Sequence, residues 1–394
     1  YTLYYYDQAG NLVKTIPPAG VKPTFDSTYL ATVASARAAG TDVSTNNNES
    51  LATQYRYNTL NQVISQQTPD AGTSKFWYDR LGRLVVSQNA KQEQSDQYSY
   101  TLYDALGRIT EVGQSTNTTA MTQAISQNAT NLASWIADTT TDSKKQITLT
   151  VYDLPYTSVA VTIDGKSGLY QKNLRNRVSY TMFFDDESQK SYLEDSTISG
   201  GNSATYYSYD IHGNVDTLLQ DYRTSLGAVV CDTNAGNRFK KMVYYYDLIS
   251  GKVNDVAYQP GYADQFYHRY FYDAENRITS VKTSKDKIYW EEDATYNYYR
   301  HGPLSRTVLG QNQVQGLDYA YTIQGWLKGV NSTSVGTAAF DIGQDGKVGA
   351  ANNLVARDAF GFSLNYFTGD YKPIGTGVTP FITVPMALPA DPTS

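Results

Sequence analysis

Tyr78-Asp-Arg-Leu-Gly-Arg-Leu84 recurs 25 residues later as Tyr103-Asp-Ala-Leu-Gly-Arg-Ile109. Both stretches follow the pattern Tyr-Asp-x-x-Gly-Arg-aliphatic. Aspartate is favoured at the first position of a type I turn, because its carboxylate accepts backbone N–H groups two residues further on. Glycine three residues later accepts the positive φ that is needed when such a turn closes with a bulge. Each stretch is therefore predicted to form the tip of a β-hairpin.

The same pattern is repeated along most of the chain. Close copies are Tyr6-Asp-Gln-Ala-Gly-Asn-Leu12, Tyr209-Asp-Ile-His-Gly-Asn-Val215 and Tyr272-Asp-Ala-Glu-Asn-Arg-Ile278. Weaker copies begin at Tyr57, Tyr246, Tyr298 and Tyr321, and Lys172-Asn-Leu-Arg-Asn-Arg-Val178 keeps only the second half. The residues predicted at the structural hairpin tips are Tyr6, Asp7, Gly10, Tyr78, Asp79, Gly82, Tyr103, Asp104, Gly107, Tyr209, Asp210, Gly213, Tyr272, Asp273 and Asn276.

These repeats predict an all-β fold. A lone hairpin is only marginally stable, so neighbouring hairpins must stack and pair edge to edge, which produces a continuous, spiralling sheet. The repeat region is predicted to span residues 1–372, followed by a Gly/Pro-rich linker or fragment end at 373–394. Short helical insertions are predicted near 25–39 and 118–138, where the tips lie furthest apart in sequence.

Composition agrees with a sheet protein and excludes some functions. The chain has 36 tyrosines against 12 phenylalanines and 4 tryptophans, and tyrosine suits half-buried, pleated surfaces. The net charge of −6 and the lack of a basic stripe argue against nucleic-acid binding. The single cysteine excludes an intrachain disulfide, and no apolar run is long enough for a membrane span. The chain starts at Tyr1 in what reads as the middle of a strand, so we expect it to be a piece of a longer polypeptide.

No group of residues predicts catalysis, a cofactor or a metal site. His212 and His301 fall at tips, and His268 lies within a predicted strand. Cys231 has no activating base near it in sequence, so an unreactive cysteine is the simpler interpretation. The stretch Asp341-Ile-Gly-Gln-Asp-Gly-Lys-Val348 has some features of a calcium loop but lacks its third and twelfth ligands, so a glycine-rich turn is favoured. The sequence therefore predicts a protein segment that is not an enzyme.

The chain resembles the YD-repeat, or Rhs-type, proteins, particularly the large Rhs-like proteins of the Bacteroidetes. The resemblance covers about residues 1–372 and is carried by the repeats above. Three longer stretches resemble the sequences of this family: Leu3 to Gly20, Tyr321-Thr-Ile-Gln-Gly-Trp-Leu-Lys-Gly329 and Asp358-Ala-Phe-Gly-Phe-Ser-Leu-Asn-Tyr-Phe-Thr-Gly-Asp-Tyr371.

The resemblance implies a hollow cocoon, as in Rhs proteins, the Tc-toxin shell and teneurins. In the bacterial toxins of this kind the cocoon sequesters a C-terminal effector, which is often released by self-cleavage near an Asp-Pro-x-Gly-Leu motif. That motif is absent here, since the only Asp-Pro is Asp391-Pro392, so protease and toxin activities are not transferred to this chain.

We expect a wall segment of a secreted or cell-surface bacterial protein. Its expected partners are the rest of the same polypeptide, an enclosed effector domain and the secretion machinery. The alternative is a surface protein that uses the same β-spiral for adhesion or carbohydrate binding.

Overall fold

The structure is a computed structural model that describes residues 1–44, 47–137, 144–156, 162–163, 166–167, 169–189, 203–222, 239–331 and 341–366. The chain divides into two compact units. The first contains residues 1–211 and 220–239, and the second contains 212–219 and 240–394. Strand β14 (Val215–Asp221) has residues in both units. Cys231 and the predicted linker at 373–394 lie outside the described residues.

The first unit is an antiparallel sheet in which strands that follow each other in the chain pair with each other. The pairing runs from β1 to β9, then from β9 to β12 and from β12 to β13. The strands are β1 (Leu3–Tyr6), β2 (Leu12–Ile16), β3 (Thr53–Tyr57), β4 (Val63–Thr68), β5 (Gly72–Tyr78), β6 (Leu84–Gln88), β7 (Gln97–Tyr103), β8 (Ile109–Thr116), β9 (Lys144–Tyr152), β12 (Val178–Asp186) and β13 (Ser203–Tyr209), with a separate pair β10 (Thr162–Ile163) and β11 (Lys166–Ser167).

The second unit repeats this arrangement. Antiparallel pairing runs in chain order from β15 to β23. The strands are β15 (Phe239–Tyr246), β16 (Val253–Tyr258), β17 (Phe266–Tyr272), β18 (Ile278–Ser284), β19 (Glu291–Tyr298), β20 (Leu304–Leu309), β21 (Gln315–Tyr321), β22 (Leu327–Val330) and β23 (Phe362–Ser363). The predicted all-β fold class is thereby confirmed.

Helices interrupt the sheet of the first unit at two places. Helix α1 (Ser27–Ala39) begins after Asp26, whose carboxylate accepts the amide of Thr28 at 2.6 Å, and ends at Gly40 with φ +66°. Within the predicted 118–138 stretch the structure has two short helices, α3 (Gln123–Ser126) and α4 (Ala129–Ile136). They are separated because Asn128 leaves the helical conformation to cap α4. A further turn of helix, α2 (Ala90–Glu93), joins β6 to β7, and 3₁₀ turns occur at Pro18–Gly20 and Glu49–Leu51.

The main apolar core of the first unit lies where α3 and α4 cover strands β5 to β7. Trp135 of α4 packs edge-on against Tyr98 of β7, with ring centroids 4.9 Å apart. Its indole nitrogen donates to the Thr119 carbonyl at 2.8 Å, so the buried N–H is satisfied. The insertion thus covers one face of the sheet at the two best-kept repeats. The buried members of this core are Val85, Val86, Tyr98, Tyr100, Met121, Leu132, Trp135 and Ile136.

Candidate functional site: the hairpin tips and their links

The best-kept hairpin tips are closed by their aspartates. In the tip that joins β5 to β6, the amide of Gly82 donates to the Asp79 carbonyl at 3.1 Å, and the amide of Asp79 donates to the Arg83 carbonyl at 2.9 Å. The Asp79 carboxylate accepts the amides of Leu81 and Arg83 at 2.9 Å and the Arg83 Nε at 2.7 Å. Five hydrogen bonds therefore fix a turn of five residues, and the aspartate takes part in all of them.

The other close copies share this geometry. Asp104 and Asp273 accept the amide and the Nε of the arginine four residues on, and Asp7 accepts the amide and the side-chain amide of Asn11. The fourth tip position has a positive φ in every case: Gly10 +84°, Gly82 +77°, Gly107 +81°, Gly213 +99° and Asn276 +63°. Glycine and asparagine are the residues that adopt this conformation with least strain, which explains the choice at this position.

The tip tyrosine links each repeat to the one before it. The register of strand pairing shifts just before this tyrosine, which marks a β-bulge. Its hydroxyl then donates to the carbonyl of the aliphatic residue that follows the preceding tip. The donor and acceptor pairs are Tyr57 and Leu12, Tyr78 and Val63, Tyr103 and Leu84, Tyr152 and Ile109, Tyr209 and Val178, Tyr246 and Val215, Tyr272 and Val253, and Tyr298 and Ile278, all at 2.7 to 2.9 Å.

The arginine of the tip provides a second link, in the opposite direction along the chain. Its guanidinium lies over the ring of the tyrosine of the following repeat, where the negative face of the ring attracts it. The distances from the guanidinium carbon to the ring centre are 4.6 Å for Arg83 over Tyr103, 4.3 Å for Arg108 over Tyr152, 5.4 Å for Arg177 over Tyr209 and 4.5 Å for Arg277 over Tyr298. Tyrosine and arginine of the repeat are thus the residues that join one hairpin to the next.

Adjacent tips also touch directly. The side-chain amide of Asn11 donates to that of Asn61 at 3.0 Å, and Gln62 donates to the Gly82 carbonyl at 2.7 Å. Arg108 holds Asp104 of its own tip and Asp153 of the next one, at 2.7 and 2.8 Å. In the first unit the tips therefore form a row connected by polar contacts.

One tip is assembled from two separate parts of the sequence. Strand β9 ends at Tyr152, directly before Asp153, and Asn176-Arg177 directly precede β12, which begins at Val178. The amide of Asp153 donates to the Arg177 carbonyl at 3.2 Å, and Asn176 has the positive φ of +59° seen at other tips. The sequence pattern indicates a tip at Asp153 and, separately, a half copy at 172–178, but it does not join them, because no glycine or asparagine stands three residues after Asp153.

The tip contacts perturb the acidity of their groups. Burial alone would raise the pKa of the Asp104 carboxyl, but hydrogen bonds from the Arg108 amide and guanidinium outweigh it and lower that pKa. The same opposing causes lower the pKa of Asp273 beside Arg277. Burial raises the pKa of the Tyr78 and Tyr103 hydroxyls. Around neutral pH the tips therefore combine ionised carboxylates with neutral tyrosine donors.

The histidines take ordinary packing positions. His301 stacks on Tyr299 within a tip, with ring centres 5.4 Å apart, and His268 of β17 lies between Phe266 and Tyr270. His212 lies in the turn before β14. Among the described residues, no three His, Cys, Asp or Glu side chains are grouped so that they could hold a metal ion.

The glycine-rich stretch from Asp341 forms a turn whose acidic side chains make hydrogen bonds and an ion pair within the protein. The Asp341 carboxylate accepts the amides of Gly343 and Gln344 at 3.0 Å, and the Asp345 carboxylate is 2.6 Å from Arg306 of β20. Arg306 also donates to Asp318 of β21. Sequence reasoning missed this buried ion-pair group, because its members come from three segments with no shared motif.

Comparison with known proteins gives distant matches. No protein-family model matches the chain. It is 22% identical over 325 residues to Salivary gland surface protein 1 of Aedes aegypti, a match that covers 74% of this chain and 9% of that protein. Crystal structures of TcdB2-TccC3 without its hypervariable C-terminal region and of TcdB2-TccC3-Cdc42 each have a TM-score of 0.48, at 15% and 14% identity. Each covers 84% of this chain, which spans only 12% of theirs. No helix in the described residues is both long and apolar enough to cross a membrane.

Proposed function

We propose that this chain is a wall segment of a secreted or cell-surface YD-repeat shell, which encloses a C-terminal effector domain of the same polypeptide. The observation that carries the proposal is the link between repeats. Eight tyrosine hydroxyls bond the repeat before them, and the four tip arginines Arg83, Arg108, Arg177 and Arg277 cover the tyrosine of the repeat after them. Each such hairpin offers a hydroxyl donor to the repeat before it and a carbonyl acceptor to the repeat after it. Further hairpins can therefore be added in the same way, which suits an extended wall.

The proposal is supported by the regular use of the most characteristic residues of the chain in contacts within and between repeats. The tip aspartates close turns, and the tyrosine hydroxyls hold backbone carbonyls. Residues used in this way keep a wall in one geometry while the enclosed domain varies.

The proposal is tested on the complete natural polypeptide that contains this segment. The purified protein is treated with trypsin, and the fragments are identified by intact mass under native conditions and in about 6 M urea. We expect a C-terminal domain unrelated to the repeats to survive digestion natively, to co-elute with the repeat region, and to be digested at once in urea. A C-terminal sorting or adhesion module that trypsin removes from the native protein, with no retained fragment, would establish the surface-binding alternative instead.

A matched pair of variants tests whether protection of the C-terminal domain from trypsin depends on the repeat wall. Tyr103→Phe removes a hydroxyl that links two repeats, whereas Tyr170→Phe removes one from a side chain that is 83% exposed. Faster digestion of the retained domain in the first variant and unchanged digestion in the second would support enclosure by this wall. Equal protection in both, with a measured loss of wall stability in the first, would mean that the domain protects itself.

A further inference from the structure

The segment Asp341–Tyr366 crosses strands β20 to β22 of the second unit and is fastened to them mainly by polar contacts. Asn331 donates to the Phe360 carbonyl at 2.9 Å, and the ammonium of Lys328 donates to the Leu364 carbonyl and the Asn365 side chain at 2.8 Å. Strand β23 pairs with β22 over two residues. The amides of Ile342, Ala356 and Leu364 also donate to the carbonyls of Asn331, Gln313 and Lys328. The segment is therefore held by a set of separate polar contacts, to which the charge state of a buried group beneath it adds or subtracts free energy.

A group of acidic side chains lies beneath this segment. Arg306 of β20 donates to Asp318 of β21 and to Asp345 of the segment, and both carboxylates are on residues that are at most 4% exposed. Gly316 and Gly343 leave space for these pairs, because a Cβ at either position would collide with the guanidinium and a carboxylate. The ion pairs are therefore built into the packing between the segment and the sheet.

Asp358 has no such partner. Both of its carboxylate oxygens are buried and lack a hydrogen-bond partner among the described residues, as does the Asp345 Oδ2. The charged groups that act on it are Asp341 and Asp345 of its own segment, Asp318 of β21 and Arg306 of β20. Lys328 of β22 lies under the same segment, but its ammonium is bonded to residues 364 and 365.

The charges of this group do not balance. Four aspartates, Asp318, Asp341, Asp345 and Asp358, face one guanidinium. An ionised carboxylate that is buried beside like charges is strongly unfavourable unless it is paired, so such a group takes up a proton instead. Burial, then Asp341, Asp345 and Asp318, raise the pKa of Asp358 to about 7, against the opposing effect of Arg306.

We infer that residues 341–366 form a proton-dependent latch on strands β20 to β22, closed while the Asp358 carboxyl carries a proton and released as it ionises. The closed form binds this proton more tightly than the open form, in which the pKa returns to its ordinary value of 3.8. Closure is therefore most favourable below that ordinary value. It weakens as the pH rises toward about 7, and above this the contribution of the proton is lost. This pH dependence is opposite in sign to that of the tip aspartates, whose pKa values are lowered.

The test measures hydrogen exchange of peptides from 341–366 in the whole chain, corrected for the intrinsic effect of pH. The raised pKa of Asp358 would change the equilibrium constant for closing by up to about a hundredfold between about pH 5 and pH 8. Partial solvation of the carboxyl reduces this effect, so we expect a change of about tenfold. Peptides from β16 and β17 serve as the internal reference. We expect Asp358→Asn to remain closed at both pH values, because the amide cannot ionise.

Asp286→Asn is the control, since the Asp286 carboxylate accepts two turn amides and the Ser284 hydroxyl in the loop between β18 and β19, away from residues 341–366 in sequence. Its peptides from 341–366 should retain the pH response of the native chain. Corrected exchange in the native chain that does not change with pH would overturn the latch, whether or not the Asn variant folds. A pH response of equal size in Asp358→Asn would also overturn it.

Discussion

Replacing Tyr103 with phenylalanine tests the link on which the wall depends. The ring stays in place under Arg83, and only the hydroxyl that donates to the Leu84 carbonyl at 2.7 Å is lost. A hydrogen bond of this kind contributes about 1 kcal/mol net, and a buried carbonyl left without a donor raises the cost toward about 2 kcal/mol. The site is only partly buried, so we expect a loss of about 1 kcal/mol in the stability of β6 and β7.

The loss is measured locally, because the chain has two units and one global midpoint would mix them. Hydrogen exchange of peptides from β6 and β7 in rising urea gives the free energy of opening for these strands. Tyr170→Phe makes the same chemical change at an exposed side chain and should stay within about 0.5 kcal/mol. Equal effects of both variants, or no effect of the first, would refute the role of the hydroxyl in joining repeats.

Substitutions at three further positions test the tips and the latch region. Gly107→Val should destabilise its hairpin by about 1 kcal/mol or more, because φ is +81° there, while Gly107→Asn should cost less, as Asn276 has the same role; hydrogen exchange of peptides from β7 and β8 in rising urea distinguishes them. Asp79→Ala removes an acceptor of two amides and should cost about 1–2 kcal/mol in the local stability of β5 and β6, measured by hydrogen exchange in rising urea, whereas Asp79→Asn should cost less, because Asn58 closes its own tip in the same way. Gly343→Ala should raise hydrogen exchange across 341–366 at any pH, because its Cβ would collide with the buried ion pairs.

The sequence allowed prediction of what is local within a repeat. Asp79 and Gly82 satisfy turn rules that act over five residues, so hairpin tips and an all-β fold follow from the pattern alone. Helix α1 was equally accessible, because its cap Asp26 and its final Gly40 are local signals.

The contacts between repeats could not be obtained in this way. The hydroxyl of Tyr103 reaches the carbonyl of Leu84, 19 residues earlier, and nothing in either residue specifies the other until the strands are paired. The buried group around Arg306 is a stronger case. Asp318 and Asp345 lie 12 and 39 residues away from it, and only the folded segment brings them together. Side-chain charge in a sequence does not reveal burial, so the raised pKa of Asp358 required the structure as well.

The copies of the repeat can differ in sequence because only some of the hydrogen bonds that hold them depend on particular side chains. A tip closed by Asn58 keeps the turn because its side-chain oxygen still accepts the amides of Leu60 and Gln62 at 2.9 and 3.0 Å. Tyr366 lies outside any recognised repeat, yet its hydroxyl donates to the Leu327 carbonyl at 2.8 Å, the aliphatic position after the preceding tip. The link shared by most repeats is thus a hydroxyl that reaches a backbone carbonyl, and a backbone carbonyl is supplied by any residue. Because the acceptor does not depend on sequence, copies can diverge widely and still add to the same sheet, provided that the tyrosine is kept.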